Sequence, residues 1–138
     1  MTAPPAIPFV KEFAFAYGEA ARLSPLISRV IANNPGPFTY TGTGTYIIGR
    51  AGGADCAVID PGPDDTAHLD ALAAAVGGAR VSHILITHTH RDHCGGARAF
   101  AGRVGAPLVG AAPHPGSPPA AEGPSLEEGA DRAYRPDR

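Results

Sequence analysis

Apolar residues fall along this 138-residue chain in short blocks cut by glycine and proline, and the blocks change period from one to the next. Phe38-Thr39-Tyr40 and Thr45-Tyr46-Ile47-Ile48 are aromatic and β-branched with Gly42 and Gly44 between them, which predicts a hairpin or bent strand pair. Gly52-Gly53 supplies a turn, and Cys56-Ala57-Val58-Ile59 reads as a short strand that ends at Asp60. Pro61-Gly62-Pro63 breaks the chain there. Leu69, Leu72, Ala73 and Val76 then recur at helical spacing, with Asp64, Asp65 or Thr66 able to cap and Gly77-Gly78 to stop the helix. Val81 to Thr87, with Ile84-Leu85-Ile86 at its centre, reads as a buried strand. Ala97–Val104 follows as a second helix and Pro107-Leu108-Val109 as a last strand. The order β-β-β-α-β-α-β predicts a layered α/β structure with helices packed on a sheet.

The two ends behave differently. Residues 1–37 hold six prolines but also Phe9, Val10, Phe13, Phe15, Leu23, Leu26, Ile27, Val30 and Ile31, so this turn-broken, extended segment has side chains to pack. Residues 111–138 hold six more prolines and only Leu126 and Tyr134 as large apolar side chains, too little to offset the entropy of ordering them. The expected division is therefore a folded unit over 1–110 and a Pro/Gly-rich connection over 111–138.

Composition narrows the classes. Hydrophobic residues at 43% allow a core, and 11 Lys and Arg against 13 Asp and Glu disfavour binding to nucleic acid through bulk positive charge. Two cysteines are too few for a disulfide scaffold and suit a reducing compartment. No apolar run approaches a membrane span, and Met1-Thr2-Ala3-Pro4-Pro5 lacks the basic start of a signal peptide, so a cytoplasmic protein is expected.

The chemistry is concentrated in Thr87-His88-Thr89-His90-Arg91-Asp92-His93, where three of the six histidines and an aspartate share six residues at a strand end. In extended backbone His88 and His90 point to one side, about 6.6 Å apart along the chain, and converge on one metal ion if the loop curls. Asp92 and His93 are adjacent, point elsewhere, and suit a second ion. Imidazole with carboxylate fits zinc, and also iron or manganese, better than calcium. Two such ions would bring the pKa of a shared water towards ~7 beside a polarised carbonyl or phosphoryl group. Gly95-Gly96 would let the backbone turn sharply into the next helix.

This segment resembles the signature of the metallo-β-lactamase fold superfamily. Asn34-Pro35-Gly36-Pro37-Phe38-Thr39, Gly42-Thr43-Gly44-Thr45-Tyr46-Ile47-Ile48-Gly49 and Val58-Ile59-Asp60-Pro61-Gly62 are similar to its β-lactamase-like protein 2 type subgroup, with Gly44 where that subgroup usually has Asn. The resemblance covers roughly residues 27–115. It implies an αββα sandwich of which this chain supplies the N-terminal half, and a site with two zinc ions. His88 and His90 would serve the first ion, Asp92 and His93 the second, with Asp92 also catalytic. Asp60 would orient the ligand loop, unless it is an ordinary strand-end aspartate. It further implies a hydrolase that uses a metal-bound hydroxide on an ester, thioester, lactone or phosphodiester of a small molecule. An endoribonuclease, or a non-catalytic metal-binding half domain, are the alternatives.

Two ligands per ion are one short of the three that a catalytic zinc takes. His114, the only later histidine, sits in Pro113-His114-Pro115 and reads as a loop residue. Three accounts fit: a truncated or cleaved product, a half completed by another chain, or a degenerate protein. Each leaves a sheet face short of its partner and predicts a homo-oligomer or pairing with a complementary C-terminal half. Cys56 and Cys94 read as core, His68 as a surface or helix-packing residue, His83 as structural, and Arg91 as solvent-facing or a contact for an anionic substrate.

Overall fold

A computed structural model describes residues 6–112 and 129–138. Six strands form one mixed sheet in sequence order: β1 (Ala21–Ser24), β2 (Ile27–Ile31), β3 (Gly44–Ile48), β4 (Asp55–Ile59), β5 (Arg80–Ile86) and β6 (Leu108–Gly110). From β1 to β4, each strand pairs antiparallel with the next. β4, β5 and β6 are parallel, so each connection crosses through a helix: α1 (Thr66–Val76) between β4 and β5, and α3 (Ala97–Val104) between β5 and β6. A one-turn helix, α2 (Arg91–Cys94), precedes α3. No helix among the described residues is long and apolar enough to cross a membrane.

Strand alternation sorts the side chains. Val30, Ile47, Cys56, Val58, Val81, Ile84 and Ile86 join Leu69, Leu72, Phe100, Ala101 and Leu108 in one core between sheet and helices. The alternate positions Ile27, Ile48, Tyr46, Ile59 and Leu85 stand side by side across the strands and stay partly exposed. Part of that face meets the N-terminal arm, where the Phe13 ring lies 4.7 Å from the Arg29 guanidinium and leads a chain of rings through Phe15 to Tyr17.

The α/β class and the positions of α1, α3, β4, β5 and β6 match the sequence expectations to within a residue or two. Asp65 is the cap that forms, its Oδ1 accepting the Ala67 amide at 2.9 Å. The hairpin expected from 38–40 does not form. Tyr40 takes a left-handed φ of 55°, its amide and that of Thr39 both turn back to the Gly36 carbonyl, and Phe38 is 98% exposed. A turn this tight leaves no ladder for β3, which pairs with β2 instead. The segment 27–31, expected only as extended chain, is β2, paired between β1 and β3.

The expected connection 111–138 lies partly outside the described residues, and His114 wholly so. Residues 129–138 pack back on the fold. The Asp137 amide donates to the Leu108 carbonyl at 2.8 Å, the Leu108 amide to Asp137 Oδ2 at 2.8 Å, and the Gly110 amide to the Arg138 carbonyl at 3.1 Å. Arg98 pairs with Asp137 at 3.0 Å, and Tyr134 is buried in the core. One buried ring and a backbone ladder suffice to order a segment that is otherwise poor in apolar residues.

Phe100 has no exposed surface, so Phe100→Ala is expected to lower unfolding stability by about 3–5 kcal/mol in a denaturant titration. The Leu108 amide, and then the Arg98 guanidinium, hold the Asp137 carboxyl below its usual range. A lowered folded pKa stabilises docking fully above the ordinary carboxylate value of about 3.9, and that contribution is lost as pH falls through the folded value. The amide signals of Gly110 and Arg138 are expected to shift towards unstructured values on acidification, and already at neutral pH in Asp137→Asn.

Candidate functional site

The parallel strands β4 and β5 end side by side, and both of their continuations carry polar residues to the same place. At the end of β4, Asp60 adopts a left-handed φ of 50° and is 5% exposed. Its amide still donates to the Leu85 carbonyl at 2.9 Å. The left-handed residue swings the chain off the sheet and turns the carboxylate towards the end of β5. There Oδ1 accepts the Thr87 amide at 2.8 Å, and Oδ2 accepts the Thr87 hydroxyl at 2.6 Å and His93 Nδ1 at 2.8 Å.

That set of bonds fixes two imidazoles. The Thr87 hydroxyl has one proton and gives it to Asp60, so His88 Nδ1, 3.0 Å from Thr87 Oγ1, must be the donor in that pair. His93 Nδ1 is likewise the donor to Asp60. When neutral, both rings therefore present a bare Nε2. The His88 ring lies 4.8 Å from that of His90 and 4.1 Å from that of His93. One ligand atom each from Asp60, His88 and His93 lie within 4.8 Å of one another.

Asp92 joins from the other side, with Oδ2 3.3 Å from His93 Nε2. It accepts the Thr43 hydroxyl at 2.8 Å, and Asn34 holds Thr43 by accepting its amide at 2.9 Å and donating to its hydroxyl at 3.1 Å. All four residues expected at the site, His88, His90, Asp92 and His93, are thus neighbours, but not as two divergent pairs. The chain enters α2 at Arg91, and the helical turn brings His93 back over His88. Asp60 stands where the sequence expectation put an orienting carboxylate.

The glycines after the motif do not act by a sharp turn. Gly95 and Gly96 are both right-handed helical. Gly96 is required for a close approach, since a Cβ there would lie 2.6 Å from the Pro63 carbonyl and 2.9 Å from Leu69. The Gly96 amide donates to Gly62 and the Gly62 amide to His93, tying the two loops together. The docked C-terminal segment closes the third side: Asp131 N donates to Thr89 O at 2.7 Å and Arg91 N to Gly129 O at 2.9 Å.

Electrostatics follow from these contacts. Burial raises the Asp60 pKa, but the hydrogen bonds from His93 and Thr87 outweigh it and leave the carboxyl below its usual range. The bond to Asp60 raises His93 above the ordinary imidazole value, with burial opposing. Burial, then the neighbouring His93 and His90, lower His88. Cys94 is pushed up to about 11 by burial and then by Asp131, so it remains a neutral thiol in the core, as does buried Cys56. Arg91 and His83 are exposed, and His68, expected as a surface or helix-packing residue, is buried on α1.

Thr43 and Asn34 stand in the stretches that carry the family resemblance, but the sequence reading assigned neither a role at the site. No local signal marks a threonine that bonds an aspartate 49 residues away. Three imidazoles and a carboxylate, with Nε2 of neutral His88 and His93 unprotonated, form a donor set that fits a borderline metal such as zinc. Both Asp60 oxygens are engaged by Thr87 and His93, so Asp60 sets the orientation of those two side chains. Asp60→Asn removes an acceptor from His93 and Thr87, and is expected to weaken zinc binding by about 10- to 100-fold in a chelator competition assay.

Over 80 residues, 56% of its length, the chain is 41% identical to an atrochrysone carboxyl ACP thioesterase of Cryptosporiopsis sp., of which it covers 24%. Over 78 residues, 54% of its length, it is 40% identical to a beta-lactamase-like protein 2 homolog of Caenorhabditis elegans, of which it covers 26%. The chain thus spans about a quarter of the length of these relatives. A beta-lactamase domain protein from Burkholderia ambifaria shares the fold with a TM-score of 0.57 at 22% identity, over 72% of this chain and 32% of that one. Residues 41–136 match the metallo-beta-lactamase superfamily as a family, and cover the left-handed Asp60, the histidine loop and the docked C-terminal segment. The chain belongs to the metallo-beta-lactamase superfamily.

Proposed function

We propose that this chain carries the N-terminal part of the site of a zinc-dependent hydrolase that cleaves an acyl thioester or related ester. One observation carries the reading: Asp60 accepts hydrogen bonds from the Thr87 hydroxyl and from His93 Nδ1, so that neutral His88 and His93 each keep Nε2 unprotonated, that of His93 beside Asp92. This is the arrangement by which carboxylates orient metal-binding histidines. Zinc, when bound, would polarise the scissile carbonyl and acidify the attacking water. His88, His90 and His93 would hold it, with Asp92 able to serve either as a further ligand for a second ion or as the proton acceptor. Thr43 holds Asp92 Oδ2 in place for that task. In balance, water adds its oxygen to the acyl carbon, Asp92 takes one of its protons, and the proton passes to the departing thiolate. The thioester choice is supported by the thioesterases among the relatives. Iron or manganese would suit the same donors. Two unpaired, buried cysteines support a cytoplasmic setting.

The same reading includes a partner for the sheet. Tyr46 and Leu85 are each over a third exposed, beside Ile48 and Ile59, on the face opposite the helices. A patch of that kind favours association, with a complementary C-terminal half or with a second copy. Because the described residues give at most three imidazoles and one carboxylate besides Asp60 to a site proposed to hold two ions, the chain alone is expected to bind zinc below two equivalents. Its hydrolysis of an acyl thioester is expected to be slow. In His88→Ala/His90→Ala, zinc retained after dialysis should fall to background together with that activity. Unchanged zinc content in the double variant would overturn the site, and full activity with two tightly held ions would overturn its incompleteness. A non-catalytic metal-binding half domain is the second reading, favoured by the exposed face, and zinc binding without any hydrolysis would select it.

A further inference from the structure

Helix α1 carries a buried histidine that the site above does not use. His68 sits on its first turn and is 4% exposed. Its Nε2 lies 3.0 Å from Oγ1 of Thr45, a fully buried residue of β3. That hydroxyl donates to the backbone carbonyl of Asp60 at 2.6 Å. A threonine hydroxyl has one proton, and here Asp60 receives it. The contact with His68 therefore needs the ring proton on Nε2, with the ring donating to Thr45. Nδ1 is left as a bare acceptor, buried and without a hydrogen-bond partner. The ring is also wedged against the turn after Asp60, where a Cβ on Gly62 would lie 2.9 Å from Nε2. Burial lowers the His68 pKa against the opposing pull of Asp65 and the Pro61 carbonyl, which favours the neutral ring.

For packing alone this is a poor choice. An apolar side chain would fill the space without burying an unsatisfied nitrogen, and such a group calls for an explanation. The explanation lies at the other end of the chain of bonds. Asp60 is a non-glycine residue with a left-handed φ, a conformation that persists only where surrounding structure holds it. Its carbonyl is held by Thr45, and Thr45 by His68.

We propose that His68 is a positioning residue for the metal-binding loop: through Thr45 it holds the Asp60 backbone in its left-handed form, so that the carboxylate meets Thr87 and His93. The functional consequence rests on the metal-centre reading given above, but the linkage itself is a property of the metal-free chain. His68 thus extends the site by a third layer, from imidazole through hydroxyl and peptide carbonyl to the carboxylate that orients His88 and His93.

The test uses the whole chain, with His68→Leu and His68→Gln. Leu fills the space without a donor, while the Gln amide can donate to Thr45. In metal-free wild type, nitrogen-15 spectra are expected to show His68 protonated at Nε2, and a downfield proton signal from His93 Nδ1 bonded to Asp60. That His93 signal is expected to be lost or shifted in His68→Leu and retained in His68→Gln. Zinc affinity, read by chelator competition, is expected to fall about tenfold in the Leu variant and to recover in the Gln variant. His68 protonated at Nδ1, or a His93 signal unmoved by His68→Leu, would overturn the proposal. If wild type bound no zinc while the His93 signal still responded to His68→Leu, the metal-centre reading would fail and the positioning role would stand. Should His68→Leu fail to fold, the wild-type tautomer and the His68→Gln spectrum decide.

Discussion

The carboxylate of Asp60 is the point on which this structure turns. It is buried, charged, and reached by three donors from the end of the neighbouring strand and the helical turn beyond it. A buried charge persists only where hydrogen bonds replace its lost water. Thr87 and His93 provide them, and in doing so their own geometry is set. The loop between β5 and α2 is therefore no freely hinged polar connection. His88 in that loop and His93 in α2 are turned so that Nδ1 of each is spent inside the protein and, when the ring is neutral, Nε2 stays unprotonated.

Several parts of the fold serve that point. Parallel pairing of β4 and β5 brings the two strand ends together, because a crossover helix returns the chain to the same edge. The left-handed φ of Asp60 aims the carboxylate across the gap. Gly62 and Gly96 let the two following loops meet backbone to backbone. The segment 129–138 closes over Thr89 and Arg91. None of these needs the half-exposed sheet face, which explains how the ligand loop is shaped on a sheet that still presents Tyr46, Ile48 and Leu85 on its other side.

Parts of this were legible in the sequence. Leu69, Leu72 and Val76 at helical spacing between Asp65 and Gly77 mark α1, since period and punctuation agree there. The His-x-His-x-Asp-His run and the Asp60 before Pro61-Gly62 mark the candidate ligands. Other parts were hidden for physical reasons. Phe38-Thr39-Tyr40 has strand composition, but Gly36 and the left-handed Tyr40 close it into a turn. Ile27, Val30 and Ile31 look like scattered apolar residues of a proline-rich arm until β3 pairs with that segment. The bonds of Thr43 to Asp92 and of Thr45 to Asp60 and His68 join residues 15 to 49 positions apart, and only the folded sheet brings them together.

The central claim is that Asp60 and Thr87 hold His88 and His93 with the proton on Nδ1 and the lone pair on Nε2. Long-range nitrogen-15 spectra of the imidazoles, taken on the metal-free chain at a pH where both rings are neutral, test this directly. The account predicts protonated Nδ1 and bare Nε2 on both residues. Protonation at Nε2 on either ring would contradict it.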